Sequence, residues 1–226
     1  MLIGIISAMK LEAQYIIDHL DNKQEENVND IKFSKGNIGK IDIVVAISGI
    51  GKVNSAITTS LLISKYNPLI IINSGIAAGV NLELKDIILI EKLTYSDVDV
   101  LAFGYEFGQV PGMPLYYYPD QEFLTLLEHT LDNLKFSYKK ATGLTADTFR
   151  SDTKGIKNNI EPKYAVEMEG TSIAQTCYKL KTKFIAIRYI SDILDTDNHL
   201  DDYNAFEKEA SIQSAKITLE FIKKIS

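Results

Sequence analysis

Glu12, Glu167, Glu169, Arg188 and Asp192 are charged side chains in surroundings where a charge is costly. Glu167 and Glu169 close the run Tyr164-Ala-Val-Glu-Met-Glu169, and Arg188 and Asp192 lie in Phe184-Ile-Ala-Ile-Arg-Tyr-Ile-Ser-Asp192. Both runs are short and apolar, with β-branched residues, which is the pattern of buried strands. Glu12 follows a similar run, Leu2–Ser7, and falls in the first turn of a helix expected over Lys10–Leu20. A buried ionised group has to be paired or used. Taken singly, each of the four later charges is most simply a structural ion pair, and Glu12 suits a helix start. Clustered around one strand–helix–strand unit, Tyr164–Asp192, they point to a site. Three carboxylates at strand ends, Glu12, Glu169 and Asp192, fit cleavage of a C–N or C–O bond at a sugar carbon. That reaction needs one acid for the leaving group and one base for water.

Other chemistries find less support. His19, His129 and His199 have no Cys, Asp or Glu at metal-site spacing and read as surface or cap residues, so no metal is expected. No Gly-x-Ser-x-Gly elbow is present for acyl transfer. Cys177 is the single cysteine, which leaves no intrachain disulfide, and buried filler is its expected role. A net charge of -6 argues against nucleic acid as a partner. No apolar run reaches the length of a membrane span, and no leader pattern precedes the first strand, so a cytoplasmic protein is expected.

The elements that must position these residues alternate along all 226 residues, with 46% hydrophobic side chains and no linker or repeat. Asp21–Asp30 is polar and reads as a loop. Ile31–Ser34 and Lys40–Ile47 read as a hairpin around residues 36–39, and Val53–Lys65 as a helix. The glycines of Ser48-Gly-Ile-Gly51 suit a tight turn that lets backbone approach a ligand. Pro68–Ser74 and Asp86–Glu91 read as strands, the first followed by a small-residue run, Gly75-Ile-Ala-Ala-Gly79. Asp97–Tyr118 is rich in Gly, Pro and aromatics and is too apolar for a solvent loop, which favours an interface or lid. Asp120 reads as the cap of a helix to Leu134. A short strand within Ala141–Phe149, a polar loop, an acidic loop at Asp195–Asp202 and a closing helix from Tyr203 to Ile225 complete the chain. The expected fold class is α/β: a single domain spanning 1–226, with a mixed central β-sheet flanked by helices.

Five motifs in order give the chain a resemblance to a known family. They are Ile3-Gly-Ile-Ile-Ser-Ala-Met9 with Glu12, Ser48-Gly-Ile-Gly-Lys-Val53, Phe103-Gly-Tyr-Glu-Phe-Gly-Gln-Val-Pro-Gly112, Ala165-Val-Glu-Met-Glu169 and Arg188-Tyr-Ile-Ser-Asp192. Together they resemble the 5′-methylthioadenosine/S-adenosylhomocysteine nucleosidases of the nucleoside phosphorylase superfamily, almost end to end. The resemblance implies a phosphorylase-like fold and hydrolysis of the N-glycosidic bond, with no metal and no organic cofactor. Asp192 would protonate adenine N7, and Glu12 would take a proton from water placed with help from Arg188. Glu169 and Met168 would hold the ribose, with Glu167 and Ser191 beside them. Ala8, Met9, Ile50 and Ile76 would line the site, and Phe149 and Arg150 would hold the adenine. Val100, Phe103, Tyr105 and Pro111 would shape the 5′-alkylthio pocket, in part from the second subunit of a homodimer formed through Asp97–Tyr118. The lid aromatic would be Tyr203 or Phe206, with Tyr203 favoured. Ile76 stands where the family usually has Ser or Val, and Arg150 where it has an apolar residue.

Two other readings remain open. A purine nucleoside phosphorylase on the same fold needs phosphate, and this chain has only Arg150 and Arg188 as arginines, with Glu12 placed to repel the anion. A purine-binding protein without activity would accommodate Ile76 and Arg150, but would leave Glu12, Glu169 and Asp192 without a task.

Overall fold

Leu2–Ser7 forms strand β1, and its near-continuous apolar run is explained by cover on both faces. In the computed structural model, which describes residues 1–156 and 163–225, β1 lies parallel to β4 (Ile41–Ile47) and β5 (Ile70–Val80). The remaining strands are β2 (Asp21–Val28), β3 (Ile31–Ile38), β6 (Ile87–Tyr95), β7 (Tyr138–Thr145), β8 (Tyr164–Glu167) and β9 (Lys183–Ile193). The helices are α1 (Lys10–Asp18), α2 (Lys52–Tyr66), α3 (Gln121–Asn133), α4 (Gly170–Leu180) and α5 (His199–Ile225). The strand order is β2-β3-β4-β1-β5-β8-β7-β6-β9, and β9 also pairs with β5. The second half of this mixed sheet therefore closes on itself, and β9 sits at the closure.

Period-two alternation divides the core between the two faces. Ile70 and Ile72 pack with Ile16 of α1, Leu127 of α3 and Phe221 of α5. Ile71, between them, packs with Leu62 of α2 and with Ala174 and Cys177 of α4. The Asp120 side chain accepts from the Phe123 amide, as its sequence position suggests. Cys177 is fully buried in the second cluster.

Three expectations need correction. Asp21–Val28, read as a loop, is an antiparallel edge strand against β3. Its side chains are almost all exposed, so it carries no apolar alternation to betray it. The β3–β4 hairpin turns at Gly39, with φ +58°, and Gly36 lies inside the ladder opposite Ile43. A Cβ at residue 36 would come within 2.6 Å of the Asp21 carbonyl oxygen, so edge-strand packing explains that glycine. The last helix starts at His199, inside the stretch read as an acidic loop. Of the polar loop expected before Tyr164, residues 157–162 lie outside the described residues.

Residues 97–118 contain a short 3₁₀ turn, Leu101–Phe103, and Phe103 is 80% exposed. Tyr117 is buried through a bridge to Leu93. Among the described residues no helix is long and apolar enough to cross a membrane.

Candidate active site

The carboxyl ends of β1, β5 and β9 meet at one cleft, as α/β sheets arrange their ligand sites. Glu12 reaches it from the first turn of α1 and is buried. Its two oxygens accept from the Met9 and Ile76 amides, each at 3.0 Å. Gly75 makes this approach possible, because a Cβ there would lie 2.7 Å from Glu12 Oε1. Burial raises the Glu12 pKa, against the opposing pull of the two amides and of the Arg188 charge.

Glu167 and Arg188 form the floor. The Arg188 guanidinium is 2.8 Å from Glu167 Oε2, and both side chains are almost fully buried. Arg188 also donates to the Asn73 side-chain oxygen, to the Asn73 carbonyl and to its own neighbour's carbonyl at Ile187. Glu167 accepts from the Glu169 and Gly170 amides at 3.0 and 2.6 Å, and from the Thr145 hydroxyl. Arg188 therefore stands behind the cleft wall. The sequence reading had it placing the water, but its guanidinium is committed to Glu167 and Asn73 and acts on Glu12 only through charge.

Glu169, two residues beyond Glu167, accepts from the Gly51 amide at 2.8 Å. Burial, then the neighbouring Glu167 charge, pushes its pKa up to about 8. Gly51 has φ +98°, a conformation that favours glycine, and the Ser48–Gly51 turn thus brings backbone to the cleft as expected.

A break in the ladder sets Ser191 and Asp192 side by side. Ala77 pairs with Ile190 and Ala78 with Asp192, so Ser191 is an extra residue on β9. Such a bulge lets neighbouring side chains, Ser191 and Asp192, both face the cleft. The Ser191 hydroxyl donates to Asp192 Oδ1 at 2.5 Å, and His199 Nε2 lies 2.7 Å from Oδ2. Burial raises the Asp192 pKa, partly offset by Ser191 and His199.

The rest of the wall is largely apolar. Ala8, Met9, Ile50, Ile76 and Met168 contribute to it. Phe149 and Arg150 come from the loop after β7. The Arg150 side chain turns outward to the carbonyls of Ser96 (2.9 Å) and Lys154 (3.2 Å), so this guanidinium ties down the loop that carries Phe149. Tyr203 is the aromatic that reaches the cleft, and it packs edge-on against Phe149 at 5.2 Å. Phe206 instead lies under Lys85.

Val100, Phe103, Tyr105 and Pro111 are not brought to the cleft within one chain. Their neighbours Val98 and Val110 line a separate groove against α2 and α4. Ala77, Ala78, Thr148 and Val166 also line the cleft and were not singled out from sequence, nor was Asn73 beneath it. Asn73 had a signal, being a polar residue in the apolar run Pro68–Ser74. His199, read as a surface or cap residue, is buried beside Asp192, and nothing in its local sequence marks that contact.

Residues 2–223 match the model of the phosphorylase superfamily. A 5′-methylthioadenosine/S-adenosylhomocysteine nucleosidase of Staphylococcus carnosus is 37% identical, over 99% of this chain and 100% of its own. That of Bacillus subtilis is 35% identical with full coverage of both. Among solved structures, the S. pneumoniae nucleosidase with the transition-state inhibitor MT-ImmA superposes with a TM-score of 0.93, at 35% identity over all of both chains.

Proposed function

The chain belongs to the phosphorylase superfamily and, within it, to the 5′-methylthioadenosine/S-adenosylhomocysteine nucleosidases, and we propose that it hydrolyses those two nucleosides by carboxylate acid–base catalysis. The observation that carries the residue assignment is the set of carboxylates, Glu12 and Asp192 buried and Glu169 half-buried, on an otherwise largely apolar cleft.

Asp192 gives a proton to N7 of the adenine. An apolar surround favours the protonated acid, and the raised pKa of Asp192 runs in that direction. The glycosidic bond then loosens toward an oxocarbenium-like ribose. Glu12 takes a proton from the attacking water, and its two amide contacts fix the carboxylate in place. Glu169, uncharged up to about pH 8, holds the ribose hydroxyls, with Met168 beneath the sugar. Phe149 stacks on the base and Tyr203 closes over it. 5′-Deoxyadenosine fits the same requirements. The activity fits salvage of methionine sulfur in the cytoplasm.

We place a second copy of the chain against the exposed apolar residues around Phe103 and the Val53–Ile57 stripe of α2, which are 80%, 68% and 50% exposed. The partner then supplies Val100, Phe103, Tyr105 or Pro111 to the 5′ end of the cleft. Phe103→Ser is expected to weaken the dimer in sedimentation and to raise KM for 5′-methylthioadenosine more than it lowers kcat. An unchanged dimer would remove this face from the interface.

Phosphorolysis is disfavoured by the commitments of both arginines. Arg188 is tied to Glu167 and Arg150 to two carbonyls, while Glu12 would repel the anion. The deciding experiment is adenine release from 5′-methylthioadenosine in phosphate-free buffer. Adenine with methylthioribose is expected. Release only on adding phosphate, with a sugar 1-phosphate, would overturn hydrolysis.

A further inference from the structure

His199 opens α5, and its side chain is buried against the acid of the site. Its Nε2 comes within 2.7 Å of Asp192 Oδ2, yet neither atom has an aligned hydrogen-bond partner. The contact is thus electrostatic and out of line with the ring N–H. Buried polar atoms left this way are uncommon and ask for an explanation. The Phe149 ring covers the imidazole at 5.4 Å, so the pair lies at the base-binding end of the cleft.

The charges around the pair favour a proton on it. Asp192 faces it from β9, and Asp202, one turn along α5, adds a second negative charge acting on Asp192. Glu12 from α1 and Asp192 both act on Tyr203, which borders the same space. Arg150, the cation of the neighbouring loop, is turned away toward Ser96 and Lys154. The amino end of α5 opposes a cation at His199, over a single turn.

We propose that His199 and Asp192 act as one proton-holding pair, with His199 positioning the acid and resupplying its proton. The proton passes from His199 Nε2 to Asp192, and from the carboxyl to N7 of the base. The C1′–N9 bond breaks with its electron pair going to the purine, the hydroxyl of water joins C1′, and the other proton of water goes to Glu12. After product release Glu12 returns that proton to solvent and the pair regains one. His199 touches neither substrate nor water in this scheme and is a positioning residue.

This inference rests on Asp192 being the acid. Two groups that share one proton keep it to higher pH than the carboxyl alone. The test is the pH profile of kcat/KM for adenine release by the intact protein and by His199→Asn. The alkaline limb is expected to move down by about one pH unit, with kcat lowered about tenfold at neutral pH and KM nearly unchanged. A uniform loss at every pH, with the limb in place, would overturn the pair and leave His199 a packing residue. If His199→Asn does not fold, the imidazole NMR titration of His199 decides, measured in the unaltered protein and in Asp192→Asn. A midpoint that falls in Asp192→Asn supports the pair, and an unmoved midpoint overturns it. Full turnover by Asp192→Asn would instead sink the acid assignment, so the two failures are distinguishable.

Discussion

Glu167 and Glu169 are separated by one methionine, yet they belong to different regions of the cleft. Glu167 lies in the floor, where Arg188, two amides and a threonine hydroxyl satisfy it. Glu169 lies in the layer above with Glu12 and Asp192, accepts one amide bond from Gly51, and keeps its proton to about pH 8. The floor neutralises its charges internally. The upper layer leaves its carboxyls without a guanidinium of their own, and desolvation raises their pKa values. The chemistry therefore depends on a cation spent on the wrong glutamate, as it were. Arg188 beside Glu169 would hold that group ionised. A buried pair such as Glu167–Arg188 adds little net stability over an apolar packing, but removing one partner is severe.

Asp192→Asn tests the upper layer most directly. It is expected to lower kcat by about 10²–10⁴-fold while thermal stability stays the same or rises, since a poorly compensated buried acid is lost. Unfolding at lower temperature would move Asp192 into the floor. Arg188→Ala tests the other side of the contrast. It leaves Glu167 and Asn73 without their partner and is expected to cost about 3–5 kcal/mol in denaturant unfolding. A variant that folds normally and loses only turnover would break the distinction between the layers.

Glu169→Gln sharpens the comparison through pH. Below 4.5 both folded and unfolded Glu169 are protonated, and the substitution is neutral in this respect. Between 4.5 and about 8 the unfolded chain ionises first, so wild-type stability falls as pH rises. The melting temperature of Glu169→Gln is therefore expected to gain on wild type across that window and to level off above it. A gap that stays constant would place Glu169 with the floor, ionised throughout.

Much of this arrangement was legible in the chain. Strands buried on both faces announce themselves as apolar runs, so a charge within one, such as Arg188 or Glu167, stands out. Glu12 beyond β1 and the small-residue run after Ser74 were readable for the same reason, and Gly75 turns out to make room for Glu12. What escaped depended on partners distant in sequence. The polar edge strand β2 exists only because β3 offers it a ladder. His199 is defined by Asp192 across the β9–α5 turn, and a histidine in a polar stretch gives no sign of burial. The partner of Arg188 could not be read either, because a guanidinium near several carboxylates has no sequence-level rule for choosing among them.

The single extra residue in β9 bears on how such a site tolerates change. Ser191 has no opposite number on β5, and that offset lets it face the cleft beside Asp192. Substitution at Ser191 removes one hydroxyl contact, whereas deletion removes the bulge and leaves Asp192 opposite Ala78 in an even ladder, on the face it already occupies. Lineages descending from such a chain would thus be free to drift in residue identity here, and the bulge is the one place in β9 where a change of length keeps the register. In a deletion scan across β9, Ser191 would be the position where loss of a residue is absorbed best, since deleting a paired residue slips the ladder by one.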